Sequence, residues 1–133
     1  MSKSDVGKYS KILLTTPPDE IRLIISRAVT DSIPGVYASP ERLGVTNLLH
    51  ILAAFENTTV PKLENRVRNL TMREFKEIVA ERIVTALLPI QSRYQDVRQD
   101  RTWLEDVKKR GNEKARQVAN QRITEIKEVI GLL

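Results

Sequence analysis

Apolar residues recur every three or four positions along most of this 133-residue chain, and this periodicity limits its fold more than any other feature. The longest run lies between Phe75 and Val97, with Phe75, Ile78, Val79, Ile83, Ala86, Leu87, Ile90, Tyr94 and Val97 on one helical face. No segment shows the sustained alternation of a half-buried strand, and no hairpin turn stands out. A second stripe near the C-terminus contains Val118, Ile123 and Ile126. We therefore predict an all-α fold, a helical bundle in which these stripes form the core.

Local signals predict where the helices begin and end. Hydroxyl, acidic and proline residues favour helix starts, whereas glycine favours helix ends. On this basis Thr16 caps a first helix that ends at Ser32-Ile33-Pro34-Gly35, Thr46 caps a helix from Asn47 to Phe55, and Pro61 opens a short helix. Thr71-Met72-Arg73-Glu74 forms a capping box before a long helix that Pro89 should kink, Asp100 caps a short helix closed by Gly111, and Asn112 caps the last helix.

Composition removes several classes of chemistry. The chain has no cysteine and a single histidine, His50, so it excludes disulfides, thiolate catalysis and cysteine-ligated zinc. His50 lies in an apolar run, and we expect a packed or half-exposed helix residue there. The longest apolar runs are far shorter than the ~20 residues that cross a bilayer. We predict no metal site and no self-contained catalytic apparatus.

The net charge of +5 is compatible with a polyanionic partner. The excess is spread along the chain instead of being concentrated in one tail. Helical bundles serve as scaffolds, partner-binding modules and nucleic-acid binders, and periodicity alone does not choose between them.

Three stretches resemble the C-terminal half of tryptophanyl-tRNA synthetases, which are class I aminoacyl-tRNA synthetases. Met1-Ser2-Lys3-Ser4 is similar to the Lys-Met-Ser-Lys-Ser loop of that class. The second stretch combines Ala28-Val29-Thr30-Asp31-Ser32 with Gly44-Val45-Thr46-Asn47-Leu48-Leu49, and the third runs from Gly111-Asn112-Glu113-Lys114-Ala115-Arg116 to Val129-Ile130-Gly131-Leu132. The resemblance implies a remnant of the class I loop at residues 1–15 and a helical anticodon-binding domain at residues 16–133.

The resemblance also implies which residues would contact ATP. Lys3 would hold the triphosphate as charge develops, with Ser2 and Ser4 beside it. The family's first loop lysine would precede Met1 and is absent here. The family's other ATP signature and its tryptophan pocket lie on a Rossmann-type domain, for which this sequence has no strand-turn-helix unit. ATP with Mg²⁺ would serve the parent enzyme, and the chain alone is predicted to bind no cofactor and to be inactive.

The family's helical domain binds the anticodon end of the tRNA, which here would be tRNA(Trp). Asp31 is a candidate base reader, because a carboxylate can accept from the amino group of cytosine, although it can also bond to its own helix end or Thr30. Arg73 and Lys76, near a helix start, are candidates for phosphate contacts. The densest basic patch, Lys108-Lys109-Arg110 followed by Lys114, is a further candidate, although cations also favour helix C-termini. Tyr94 and Trp103 can stack on bases, but their place in apolar stripes favours core packing.

Two hypotheses of different classes remain open. In one, the chain is a portion of a tryptophan–tRNA ligase whose catalytic domain is missing, and the parent is a homodimer while this piece is a monomer. In the alternative, it is a free-standing helical protein derived from the synthetase tail that binds RNA or a protein without catalysis. We expect a mitochondrial matrix location, with the cytoplasm as the other possibility.

Overall fold

The structure is a computed structural model that describes residues 9–132, and within this range every regular element is a helix. The elements are α1 (Pro18–Ser26), α2 (Leu43–Glu56), α3 (Val60–Val67), α4 (Met72–Gln99) and α5 (Arg101–Val129). The all-α prediction is therefore confirmed. None of these helices combines the length and the apolar character that a bilayer crossing needs.

The described residues fall into two compact units, divided between Gln91 and Ser92. The first unit contains α1, α2, α3 and most of α4, and it holds the hydrophobic core. Residues from all four helices, together with Val36 of the loop before α2, have almost no exposed surface: Ile21, Val36, Val45, Leu49, Leu52, Leu63, Val67, Phe75 and Val79. Of the stripe predicted for α4, Phe75, Val79, Ile83 and Leu87 are buried as expected, whereas Ile78 and Ile90 are exposed.

The starts of α1 and α2 differ from the prediction. The Thr16 hydroxyl accepts from the amide of Leu13 at 2.8 Å, and α1 begins only at Pro18, after a proline N-cap. Helix α1 also ends early, at Ser26, so the segment predicted to finish the helix is irregular loop. Thr46 does not cap α2, which begins three residues before it. Its hydroxyl instead accepts from the amide of Ser39 and donates to the Ser39 carbonyl, each at 3.0 Å.

The capping predictions at α4 and α5 are confirmed. The Thr71 amide donates to Glu74 at 2.8 Å, and the Glu74 amide donates to the Thr71 hydroxyl at 3.3 Å. The Thr71 hydroxyl also donates to the Glu74 carboxylate at 2.7 Å, and this bond, together with the one from the Thr71 amide, lowers the pKa of Glu74 below its ordinary value. The Asp100 carboxylate accepts from the amide of Trp103 at 2.9 Å and caps α5.

Helix α5 corrects the largest error in the sequence interpretation. It runs through Gly111 and Asn112 without interruption, so the two helices predicted on either side of Gly111 are one. None of its residues is buried. Its apolar stripe, which the sequence assigned to the core, is exposed; Val118, Ile123 and Ile126 keep at least half of their surface.

Candidate functional site

The residues predicted to contact ATP, Ser2, Lys3 and Ser4, lie outside the described part of the chain. Among residues 9–132 no three His, Cys, Asp or Glu side chains come together as metal ligands. His50 lies on α2, and its side chain is exposed instead of packed in the core. The other candidate residues lie in three places: Asp31 in the loop before α2, Arg73 and Lys76 in a cleft between α1 and α4, and Lys108, Lys109 and Lys114 in the first half of α5.

Asp31 forms an ion pair with Arg42 across the loop that joins α1 to α2. Two guanidinium nitrogens of Arg42 donate to its carboxylate at distances of 2.8 to 3.1 Å, and the amide of Ile33 donates to the same carboxylate at 3.0 Å. The Arg42 guanidinium is the main cause that lowers the pKa of Asp31 below its ordinary value. The Asp31 side chain remains 26% exposed.

Arg42 organises this loop from a buried position. Besides binding Asp31, it donates to the carbonyls of Ile33 at 2.9 Å and Gly35 at 3.0 Å, and its guanidinium lies 4.3 Å from the centroid of the Tyr37 ring. The hydrogen bonds that Arg42 donates to Asp31 raise the pKa of Arg42 above its ordinary value. Arg42 could not be identified from the sequence, because a buried arginine eleven positions from its partner has no periodic signature.

The second resembling stretch has two halves, around Val29 and around Gly44, and Gly44 allows them to lie against each other. A Cβ atom at this position would stand 2.1 Å from the carbonyl oxygen of Val29 and 3.2 Å from its carbon. Only glycine allows the first turn of α2 to lie so close to the Ala28–Asp31 backbone. Gly44 and Arg42 thus hold the start of α2 against the end of the α1 loop.

Arg73 and Lys76 line a cleft between α1 and α4, but neither is a free cation. Arg73 forms an ion pair with Glu77 at 3.0 Å, while the Lys76 ammonium donates to the carbonyls of Ala28 at 2.8 Å and Ser26 at 3.4 Å. The cleft is lined by three cations and three carboxylates, Arg22, Arg73, Lys76, Asp19, Glu77 and Glu81, so its charges balance. Arg22 binds Glu81 at 2.5 Å and lowers its pKa.

The basic residues in the first half of α5 are different, because most have no carboxylate partner. Within residues 9–132, Lys108, Lys109, Lys114 and Arg116 form no ion pair, whereas Arg110 pairs with Asp106 at 2.9 Å. We call these four unpaired residues the α5 basic patch. Lys108, Lys109 and Arg116 line one shallow depression with Glu105, Asn112 and Glu113.

The two aromatic residues considered as stacking platforms are not core residues. Tyr94 and Trp103 are each 45% exposed, so the expectation that both pack in the core is wrong.

Comparison with known proteins gives the same family for the sequence and for the fold. No family model matches the chain. It is 39% identical to the tryptophan–tRNA ligase of Clostridium perfringens over 133 residues and 36% identical to that of Nostoc sp. over 132 residues. It is also 38% identical over 133 residues to a ligase of Schizosaccharomyces pombe whose name includes the word mitochondrial.

These alignments cover 98% to 100% of this chain but only 37% to 40% of each relative. The chain thus spans about two fifths of the length of the curated relatives it matches. The crystal structure of tryptophanyl-tRNA synthetase from Mycoplasma pneumoniae matches all of the chain with a TM-score of 0.69 and 26% identity, and the match covers 41% of that protein. The chain therefore belongs with the tryptophan–tRNA ligases, and it corresponds to the C-terminal part of these enzymes.

Proposed function

We propose that this chain is the tRNA-binding part of a tryptophan–tRNA ligase. It would hold the anticodon region of tRNA(Trp) while a Rossmann-type catalytic domain, which the chain does not contain, joins tryptophan to the tRNA with ATP. The observation that carries the proposal is the alignment of essentially the whole chain with relatives named tryptophan–tRNA ligase. The free-standing binding module remains an outcome of the test below.

The α5 basic patch is the best candidate for phosphate contacts. Phosphate binding by lysine and arginine requires cations that are not already neutralised. The patch satisfies this requirement, because its four residues have no carboxylate partner within the described part of the chain. Arg73 and Lys76 would first have to give up a carboxylate and two carbonyls, so they rank below the patch.

Asp31 remains the candidate for base recognition. A carboxylate oxygen has two lone pairs, and the Oδ2 atom of Asp31 accepts only one bond, from Arg42 at 3.0 Å. The second lone pair can accept from the amino group of an anticodon cytosine. The ion pair with Arg42 would then fix the direction in which this carboxylate points.

Binding to matched stem-loops tests the proposal. RNA stem-loops that differ only in the anticodon are titrated with the isolated chain at one salt concentration, and the fluorescence anisotropy of a labelled RNA reports binding. We expect tighter binding to the tryptophan anticodon. Equal affinity for all stem-loops would defeat anticodon recognition and favour the free-standing binding module.

Asp31→Asn tests the role of the carboxylate. The amide keeps one oxygen for Arg42 but turns a donor toward a cytosine amino group, so selectivity for the tryptophan anticodon should fall by about tenfold, the low end for a base contact. Lys62→Glu, an exposed change on α3, serves as the control that should keep the selectivity. Unchanged selectivity in a folded Asp31→Asn protein would remove Asp31 from the site.

The catalytic part of the proposal concerns the parent enzyme. ATP, Mg²⁺ and tryptophan would bind there, with Ser2, Lys3 and Ser4 completing the ATP site. We expect no tryptophan-dependent pyrophosphate exchange from the isolated chain. Exchange activity that co-purifies with it would contradict this expectation.

The mitochondrial matrix is the proposed compartment. It rests on the basic net charge and on the similarity to the mitochondrial ligase of S. pombe, whereas the bacterial relatives support the cytoplasm. Fractionation of the source cells with an antibody to the chain distinguishes the two.

A further inference from the structure

The second half of α5, with its C-cap residue Ile130, carries an apolar face that no other residue of the second unit, residues 92–132, covers. Val118, Ile123, Ile126 and Ile130 recur at helical spacing on this face and are 50% to 60% exposed. We call these four residues the α5 stripe. The opposite face of the same helix segment carries polar residues, among them Gln117 and Thr124.

A helix of this kind requires a tertiary partner. Most helical stability in proteins comes from packing an amphipathic face, and isolated helices are marginal in water. Helix α5 buries none of its 29 residues, and its interior contains Gly111, which weakens a helix further. The α5 stripe therefore has the character of one side of an interface.

We infer that the α5 stripe is the surface on which the catalytic part of the enzyme packs. This inference rests on the proposed function. The chain matches only 37% to 40% of the length of its relatives, so about three fifths of such an enzyme lies outside it. A catalytic part in the same polypeptide meets the stripe at high effective concentration, which favours packing without strong contacts.

A second copy of the chain is a poorer occupant. Arg122 lies on the same face as the stripe, midway in sequence between Val118 and Ile126. Arg122 is paired with Glu125 at 2.6 Å, so an antiparallel pairing of two stripes centred there would bury two ion pairs at its middle, and removing these charges from water costs free energy. A larger domain can offer a carboxylate or solvent at that point.

A chimaera supplies the missing partner. In it, this chain replaces the matching region of the C. perfringens tryptophan–tRNA ligase, to which it is 39% identical. Amide hydrogen exchange is then followed at residues 115–130 in the chimaera and in the isolated chain. We expect exchange at least about tenfold slower in the chimaera, because the covered helix opens less often.

Paired substitutions on the two faces of α5 assign this protection to the stripe. Ile123→Lys with Ile126→Lys should abolish the protection in the chimaera. Gln117→Lys with Thr124→Lys adds the same charge to the opposite face and should leave it intact. Equal exchange in the chimaera and the isolated chain, or equal loss with both variants, would overturn the inference.

The isolated chain provides a second measurement that does not depend on the chimaera. If the stripe is uncovered there, Ile123→Lys with Ile126→Lys should leave the unfolding free energy and the helical content unchanged. Destabilisation by this variant would mean that the chain itself covers the stripe. Protection of α5 that rises with protein concentration would identify a second copy as the occupant. Either result contradicts the docking surface.

RNA binding is measured separately, on the isolated chain. If the isolated chain does not discriminate between anticodons but α5 is protected in the chimaera, the RNA site is refuted and the docking surface stands. If the isolated chain is selective but α5 is not protected in the chimaera, the RNA site stands and the docking surface is refuted.

Discussion

A single glycine sets how closely α2 approaches the loop after α1. The Val29 carbonyl oxygen occupies the space that a side chain at position 44 would need. Helix propensity alone would favour alanine over glycine in this first turn. For Gly44→Ala, steric overlap therefore predicts a lower free energy of unfolding, whereas helix propensity predicts a higher one.

We expect Gly44→Ala to destabilise the protein by about 3 kcal/mol, the upper end of the cost of overpacking. An added Cβ at 2.1 Å from a backbone oxygen forces one of the two segments to move. Urea unfolding followed by circular dichroism measures the change. A neutral or stabilising effect would show that α2 and the loop can separate without cost.

The Asp31–Arg42 ion pair gives the second prediction at this scale, which concerns pH. Because the pKa of Asp31 is lower in the folded protein than its ordinary value, its contribution to stability is fully present above about pH 5. This contribution is lost as the pH falls through about 4 toward the folded-state pKa.

Comparison of the wild type with Asp31→Asn isolates this contribution. Glu74 and Glu81 also have lowered pKa values, so both proteins should lose stability in acid. The difference between their unfolding free energies should stay constant from pH 7 to about 5 and shrink below that. A difference that does not change with pH would mean that Asp31 titrates normally.

At the scale of elements, the sequence predicted what local chemistry controls. The capping box at Thr71 and Glu74 and the Asp100 cap formed as predicted, because their partners lie three residues away. Thr16 and Thr46 carry the same cap chemistry but bond to residues outside their helices. Thr16 bonds to Leu13, three residues before it, and Thr46 to Ser39, seven residues before it, so hydroxyl chemistry alone does not tell on which side of a threonine its partner lies.

Gly111 shows the same limit at the centre of α5. Glycine followed by asparagine is a helix-end signal in sequence, yet the backbone at Gly111 is helical and a Cβ there would meet nothing within 4 Å. The sequence showed the run of basic residues from Lys108 to Lys114, and the family resemblance implied its RNA role, whereas the absence of ion pairs required coordinates.

Gly111→Ala should therefore stabilise α5 by about 0.5–1 kcal/mol, the propensity difference in a helix interior. Increased ellipticity at 222 nm, together with slower amide exchange around position 111, would show the gain. This substitution is also the matched control for Gly44→Ala, since the two Gly-to-Ala changes are predicted to act in opposite directions. Loss of helix would indicate that the chain breaks at Gly111 after all.

At the scale of the whole molecule, the buried core residues and the unpaired basic residues lie in different parts of the chain. The core residues all lie before Ser92, whereas the α5 basic patch and the α5 stripe both lie after it. Apolar periodicity predicted the bundle correctly but assigned the stripe of α5 to a core that the described residues do not provide. A stripe in sequence says that a face will be covered, and only coordinates say whether this chain covers it.

The salt dependence of RNA binding provides the last prediction, because it counts phosphate contacts directly. Each neutralised phosphate steepens the plot of log affinity against log salt by about 0.7–0.9. Lys108→Glu with Lys109→Glu and Lys114→Glu should therefore make the slope shallower by about 2 to 3 and weaken binding to every stem-loop alike. Anisotropy titrations at several salt concentrations measure the slope for each protein. Lys62→Glu with Arg98→Glu and Lys127→Glu changes the net charge equally at exposed positions outside the patch, and it should lower affinity without the same loss of slope. Identical slopes for the two triple variants would show that net charge, and not the α5 basic patch, holds the RNA backbone.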